Sequence, residues 1–103
     1  MEKIWYKNYP SGVKPNTDLN KFKSLIEFFE NGFKKFPHKV AYENMGKKIT
    51  FSELDELTKI FSNYLIHNLK LEKGDRFAIQ TPNILQYPVV LYGALRSGLI
   101  VVN

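Results

Sequence analysis

The segment Val90-Leu-Tyr-Gly-Ala-Leu-Arg-Ser-Gly-Leu-Ile-Val-Val102 decides the fold class of this 103-residue chain. Its first half is typical of a helix, Gly98 is typical of the residue that follows a helix end, and Leu99–Val102 is an uninterrupted apolar run. A run without polar alternation indicates a strand inside a parallel sheet, buried on both faces. Chain ends are usually polar and frayed, whereas this sequence ends at Asn103, directly after its most apolar predicted strand. We therefore expect the sequence to be the first part of a longer protein.

A helix and a hairpin are predicted upstream of this segment. Ser24 and Glu27 have the spacing of a capping box and begin a helix that Pro37 ends. A hairpin follows, because Val40–Glu43 and Lys48–Phe51 flank a turn that contains glycine.

A second helix and a parallel strand pair are predicted next. Thr50 and Glu53 form another candidate capping box. The helix behind it carries one apolar face, made of Leu54, Leu57, Phe61, Tyr64 and Leu65. Arg76–Gln80 predicts a strand, and the helix after it ends near Ser97, so the two strands favour a parallel pair with a right-handed crossover. We therefore predict an incomplete α/β fold: one βαβ layer, a hairpin and an N-terminal arm.

The arm is residues 1–20, where two prolines and a glycine predict an extended segment with turns. Trp5 and Tyr9, together with Lys3 and Lys7, suit a membrane interface. They suit equally well packing on another part of a larger protein or on a second subunit. We favour packing.

Composition excludes several classes of function. The absence of cysteine excludes disulfides, Cys-based zinc sites and a thiol nucleophile, and it fits a reducing cytoplasm. No apolar stretch reaches the length of a transmembrane helix, and the N-terminus resembles no secretory signal. Residues 1–50 hold ten lysines against five acidic residues, but the lysines are scattered, which favours a solvated surface over an anionic partner. The chain has only two arginines and no motif that reads a groove of DNA or RNA, which argues against nucleic-acid binding.

No chemical site can be assigned from the residues. The glycine-rich phosphate loops of nucleotide-binding proteins are absent. Gly74–Arg76 could form an anion site, but a turn that enters a strand explains these residues better. His38 and His67 lack the partners of a catalytic triad or a metal site, and the acidic residues within 53–56 suit a helix N-terminus better than acid–base catalysis. We therefore predict no catalytic, cofactor-binding or metal-binding residue in this chain.

The order of the motifs resembles the N-terminus of the adenylate-forming, AMP-binding enzymes, which include acyl-CoA synthetases, firefly luciferases and peptide-synthetase adenylation domains. The shared motifs are Thr50-Phe-Ser-Glu-Leu54, Lys73-Gly-Asp-Arg76, Thr81-Pro-Asn83 and Leu95-Arg-Ser-Gly-Leu-Ile-Val-Val-Asn103. Within the family the chain is most similar to bacterial long-chain fatty-acid–CoA ligases, on the basis of Trp5-Tyr-Lys-Asn-Tyr-Pro10, Tyr42-Glu-Asn-Met-Gly46 and Pro82-Asn-Ile-Leu-Gln-Tyr-Pro88.

This resemblance implies the activity of a much longer parent enzyme. Residues 21–103 are then the first part of its large N-terminal domain. In the parent, a fatty acid and ATP give an acyl-adenylate and pyrophosphate, and the thiol of coenzyme A displaces AMP. ATP, Mg²⁺ and coenzyme A are the cofactors implied for the parent, and a cytoplasmic location with contact at the inner face of the membrane is expected.

The resemblance also implies what this chain lacks. The family's Ser/Thr/Gly-rich loop ending in Lys-Gly and its C-terminal lysine have no counterpart among these residues. We therefore expect the isolated chain to be structural and inactive, with exposed apolar surface around Leu99–Val102. Its expected partners are the remainder of the parent and a second copy, bound through the arm or an exposed strand. The alternative hypothesis is a stand-alone, small basic binding or regulatory module derived from a ligase.

Overall fold

A computed structural model describes all residues from 1 to 103. Three α-helices, α1 to α3, span Leu25–Lys35, Phe51–His67 and Gln86–Arg96. Four strands, β1 to β4, span Val40–Asn44, Lys47–Thr50, Arg76–Ala78 and Ile100–Val102. A short 3₁₀ helix precedes them at Ile4–Asn8.

The strands form two separate sheets of two strands each. β1 and β2 are an antiparallel hairpin, and Met45 and Gly46 at its tip both have positive φ, 48° and 77°, as a two-residue type I′ turn requires. β3 and β4 are parallel, with Arg76 opposite Ile100 and Ala78 opposite Val102, and α3 connects them. The predicted α/β arrangement of a βαβ layer and a hairpin is therefore confirmed.

One of the two predicted capping boxes is complete. At the start of α2 the Thr50 hydroxyl accepts a bond from the Glu53 amide at 3.2 Å, and the Glu53 carboxylate accepts one from the Thr50 amide at 2.8 Å. At the start of α1 the Ser24 hydroxyl accepts from the Glu27 amide, but the Glu27 carboxylate bonds to the Lys23 amide at 2.7 Å. The box at α1 is therefore only half formed, because the Glu27 carboxylate binds the amide one residue before Ser24.

Two small apolar clusters form the core. The first contains Phe33, Ile49 and Leu54, and it joins α1 and the hairpin to α2. The second contains Leu65, Ala94 and Leu99, and it joins α2 and α3 to the β3–β4 sheet. α2 contributes to both clusters, so it is the element around which the other helices and strands pack.

α2 and α3 approach each other closely at Gly93. A Cβ added at Gly93 would lie 2.7 Å from the Cδ1 atom of Phe61 and 3.2 Å from the Thr58 carbonyl oxygen. Further along the same contact, the hydroxyls of Ser62 and Ser97 are hydrogen-bonded at 2.9 Å and are buried. Glycine is thus required here for close packing between the helices.

The prediction that Leu99–Val102 is buried on both faces is wrong for this chain. Leu99 is buried at 5% exposure, and Val101 packs beside the second cluster. Ile100 and Val102 are 50% and 44% exposed. The β3–β4 sheet has helices against one face only, so its other face leaves the predicted apolar surface open to solvent.

The apolar helix stripes predicted from the sequence are buried only in part. Leu54 and Leu65 are completely buried. Leu57 and Tyr64 of the apolar face predicted for α2 are exposed, and so are Leu25, Phe28 and Phe36 on and just after α1. Each helix contacts its neighbours along a narrow face, so the flanks of a wide apolar stripe remain in solvent.

The arm is less extended than the sequence predicts. Ile4–Asn8 is a 3₁₀ helix, and a turn follows it in which the Val13 amide donates to the Pro10 carbonyl at 3.1 Å. None of the hydrogen bonds or ring contacts of residues 1–16 reaches the helices or strands. No hydrogen bond or ring contact therefore ties the arm to the folded body.

Two glycines on helices allow a matched test of the α2–α3 contact. Gly93→Ala is expected to lower the free energy of unfolding by about 1 kcal/mol, because overpacking costs more than the gain in helix propensity. Gly32→Ala in α1, where an added Cβ meets nothing within 4 Å, is expected to raise it by about 0.5–1 kcal/mol. Urea unfolding of both variants measures the difference, and equal shifts would contradict close packing at Gly93.

Candidate functional site

An open apolar groove lies between β2, α2 and α3 and has a volume of about 640 Å³. Its floor consists of apolar side chains: Ile49, Leu57, Phe61, Leu85, Val89 and Val90. Its rim is polar and carries both signs of charge, from Lys47, Lys48, Glu53, Glu56 and Gln86. An apolar floor with a polar rim is suited to contact with another protein surface or an apolar ligand. No nucleophile with an adjacent base lies in this groove.

Glu53, on the groove rim, has a shifted pKa. Its carboxylate accepts hydrogen bonds from the Thr50 amide and from the Thr50 hydroxyl, at 2.8 and 3.0 Å. These two bonds lower the pKa of Glu53 below its ordinary value of 4.5, the backbone bond contributing more. The ionised carboxylate of Glu53 therefore caps the N-terminus of α2. It does not serve as a proton donor at neutral pH.

The capping role of Glu53 predicts a pH-dependent stability difference. A carboxylate with a lowered pKa in the folded state stabilises that state above pH 4.5, and the contribution is lost as pH falls through the lowered pKa. Glu53→Gln should therefore melt at a lower temperature than the parent chain near neutral pH, and the gap should close in acid.

The control for this experiment is Glu56→Gln, which removes an exposed carboxylate of the same helix that forms no capping bond. Melting curves followed by circular dichroism across the acidic range give the comparison. If the difference in melting temperature between Glu53→Gln and the parent chain stays constant down to the most acidic pH, the capping role of the Glu53 carboxylate is contradicted.

A second group of charged residues, the Arg96 cluster, joins all three helices. The Arg96 guanidinium donates from Nη1 to Glu30 Oε1 at 2.9 Å, from Nη2 to Asp55 Oδ1, and from Nε to the Thr58 hydroxyl at 3.1 Å. Its Cζ atom lies 5.8 Å from the centre of the Phe33 ring. Only 12% of the Arg96 side chain is exposed, so the cluster is a structural clamp and leaves no free cation for a ligand.

The two arginines of the chain form a matched pair for testing the clamp. Arg96→Met leaves Glu30 without its partner and Asp55 with Lys59 alone. Because both carboxylates remain partly solvated, we expect the free energy of unfolding to fall by about 2 kcal/mol, less than for a fully buried pair. Arg76→Met, on an exposed strand position, should change stability by less than about 0.5 kcal/mol. Urea unfolding compares them, and equal effects would show that the clamp contributes nothing.

Two tyrosines form a hydrogen-bonded pair between the hairpin and α3. The hydroxyls of Tyr42 and Tyr92 are 2.7 Å apart, and the Tyr92 ring lies 4.2 Å from the centre of the Phe29 ring. Burial raises the pKa of Tyr92 above its usual range, and the bond to Tyr42 adds to the effect. Tyr92 therefore stays neutral, and its hydrogen bond to Tyr42 links β1 to α3.

The other residues that the sequence singled out form no common site of hydrogen-bonded side chains. His38 and His67 are exposed, and their side chains form none of the side-chain hydrogen bonds of the structure. At Gly74–Arg76, the Asp75 carboxylate accepts from the Glu72 amide at 2.8 Å, and the Gly74 amide donates to Gly98. These amides are therefore already paired within the chain. No group of three or more histidine, aspartate or glutamate side chains is placed to hold a metal ion.

Comparison with known proteins supplies the family. The sequence profile described as "AMP-binding enzyme" matches residues 29–103. The chain belongs to this family. It is 46% identical to the long-chain-fatty-acid–CoA ligase of Haemophilus influenzae and 48% identical to that of Yersinia pestis, in each case over all 103 residues. The resemblance found in the sequence is therefore confirmed, and the chain corresponds to an N-terminal segment of these ligases.

The fold agrees with this family. The N-terminal subdomain of NpsA from Klebsiella oxytoca matches 78% of this chain with a TM-score of 0.72 and 25% sequence identity, and the match covers 21% of that chain. The predicted fold, the N-terminal part of an adenylate-forming enzyme, is confirmed. The chain spans 18% of the length of the two curated ligases. None of its helices is long and apolar enough to cross a lipid bilayer.

Proposed function

We propose that this chain is the N-terminal structural segment of an ATP-dependent long-chain fatty-acid–CoA ligase. The observation that carries the proposal is the 46–48% identity to the two ligases named above, which extends over the arm as well as the helices and strands. The groove, the Arg96 cluster and the tyrosine pair support a scaffold role, because each joins secondary-structure elements and none pairs a nucleophile with a base.

The reaction proposed for the whole ligase has two steps. The carboxylate of a fatty acid attacks the α-phosphorus of ATP, so that a carboxyl–phosphate bond forms and pyrophosphate leaves. The thiol of coenzyme A then attacks the acyl carbon of the adenylate, forming the thioester and releasing AMP. Mg²⁺ balances the charge of the phosphates in such reactions. The residues described here do not fit a metal site, so we assign the nucleotide and metal ligands to the remainder of the ligase.

If the chain is a scaffold segment, its exposed apolar surfaces are contact regions for the remainder of the ligase. The groove floor and the open face of the β3–β4 sheet, with Ile100 and Val102, are two apolar surfaces of the folded body. We propose that the remainder of the ligase covers both, since exposed apolar surface of this kind marks a contact region. A cytoplasmic location is part of the same proposal and fits a chain without cysteine.

Fatty-acid-dependent exchange of pyrophosphate into ATP tests the assignment. The full-length protein should catalyse this exchange with a long-chain fatty acid and not with acetate, because adenylate formation is reversible and the proposed substrate is a long acyl chain. A full-length protein that shows no exchange with any long-chain acid would contradict the proposed function.

The same assay tests the scaffold role of this chain. The 103 residues alone should give no exchange above the level without enzyme, and adding them to the separately produced remainder should restore it. Fatty-acid-dependent exchange by the 103 residues alone would show that they carry catalytic groups.

A further inference from the structure

β4 has a free edge on the side that faces away from β3. The sheet contains only these two strands, so β4 has no second neighbour. The Ile100 amide donates to the Asp75 carbonyl at 2.8 Å, and the Ile79 amide donates to the Val102 carbonyl, also at 2.8 Å. Because successive peptide groups of a strand point in opposite directions, the amide and the carbonyl of Val101 point away from β3. Val101 therefore offers one donor and one acceptor at the open edge.

The edge of β4 differs from the other strand edges in its lack of charge. Lys47 and Lys48 lie on β2, Glu43 lies on β1 and Arg76 lies on β3. β4 consists of Ile100–Val102 and contains aliphatic residues alone. Charged side chains on an edge strand hinder its pairing with a further strand. The edge of β4 is therefore the least protected strand edge of the chain.

The aliphatic side chains of β4 are also open to solvent on one face of the sheet. Ile100 and Val102 keep 50% and 44% of their surface exposed, whereas Val101 packs beside the second apolar cluster. Unpaired peptide groups and exposed aliphatic side chains thus belong to the same three residues. Such an edge is a template for pairing with another strand.

The sequence of β4 is complementary to itself about its centre. When a second copy of β4 lies antiparallel to the first, with the two Val101 residues opposite each other, their outward peptide groups exchange two hydrogen bonds. Ile100 of each copy then lies opposite Val102 of the other on the open face, and aliphatic cross-strand pairs of this kind are favourable. One two-fold axis gives both copies the same contacts, as a symmetric dimer interface requires.

We propose that two copies of this chain associate through β4 and form a four-stranded sheet with the order β3–β4–β4–β3. A second copy is favoured over an unrelated strand because β4 supplies matching donors, acceptors and aliphatic side chains from both sides. The contact area of one short strand is smaller than that of a stable complex, so the dimer should be weak and should depend on concentration.

The inference goes beyond the proposed function and does not depend on it. The proposed function places the remainder of the ligase on the open face of the sheet, whereas the second copy binds the edge of β4. Pairing requires neither ATP nor fatty acid, so its test can fail or succeed independently of pyrophosphate exchange.

Sedimentation velocity of the 103-residue chain over about a hundredfold range of concentration tests the association. The mean mass should rise from that of a 12.0 kDa monomer towards twice this value as the concentration increases. A mass that stays at that of the monomer up to the solubility limit would overturn the proposal.

Amide hydrogen exchange of the same chain locates the contact. The Val101 amide should exchange more slowly as the concentration rises, because it is hydrogen-bonded only in the dimer. The Ala78 amide points away from β4 at the edge of β3, so its rate should stay constant and serves as the internal control. Slower exchange at Ala78 and not at Val101 would overturn the proposal. Protection of Val101 only after the remainder of the ligase is added would also overturn it, since the edge would then belong to the ligase.

A matched pair of double variants tests the antiparallel register. Ile100→Glu/Val102→Glu sets two carboxylates opposite each other across the dimer, whereas Ile100→Glu/Val102→Lys sets a carboxylate opposite an ammonium group. Both variants alter the same two exposed side chains and place the same carboxylate opposite Arg76. The dissociation constant of the first variant should exceed that of the second at least about tenfold, since each pair occurs twice in the dimer.

Equal dissociation constants for the two variants would show that the strands do not pair antiparallel about Val101, and the proposal would be overturned. Circular dichroism melting curves establish that both variants fold. If either variant fails to fold, the concentration dependence of Val101 exchange in the unchanged chain decides the question.

Discussion

α2 and α3 lie so close at Gly93 that a single added methyl group would overlap the ring of Phe61. This distance determines the other contacts between the two helices. It lets the hydroxyls of Ser62 and Ser97 meet in the interior, and it brings Arg96 within reach of α2. Buried polar groups are costly when unpaired, so these bonds fix the position of α3 along α2 as well as its distance.

The remaining elements depend on this helix pair. α1 contacts it through the Arg96–Glu30 ion pair and through the first apolar cluster, and the hairpin contacts α3 through the Tyr42–Tyr92 bond. The β3–β4 sheet packs on the same pair through Leu99 and its cluster. The helices and strands are therefore well packed where they meet α2 and α3. The outer face of the β3–β4 sheet and the floor of the groove carry apolar residues that this chain leaves open to solvent.

Local sequence signals predicted the elements well because they act over a few residues. The Thr50–Glu53 capping box and the Asn44–Lys47 hairpin turn are examples. The Arg96 cluster was not predictable in this way, since its partners Asp55 and Glu30 are 41 and 66 residues away. The sequence also could not show how many layers cover a strand: the apolar run at residues 99–102 predicted burial on both faces, whereas the sheet is covered on one. The groove escaped prediction for a related reason, because three separate elements build it.

The exposed surfaces of the chain differ in charge, and this difference separates their partners. The groove rim sets Lys47 and Lys48 against Glu53 and Glu56, so it has no net charge and can be matched by the mixed charges of another protein surface. The arm sets three lysines against one glutamate around exposed aromatic rings. A surface of uniform negative potential gains contact with all three lysines at once, whereas a protein surface of mixed charge does not. Apolar area alone would make the two surfaces equivalent, whereas their charges distinguish the groove from the arm.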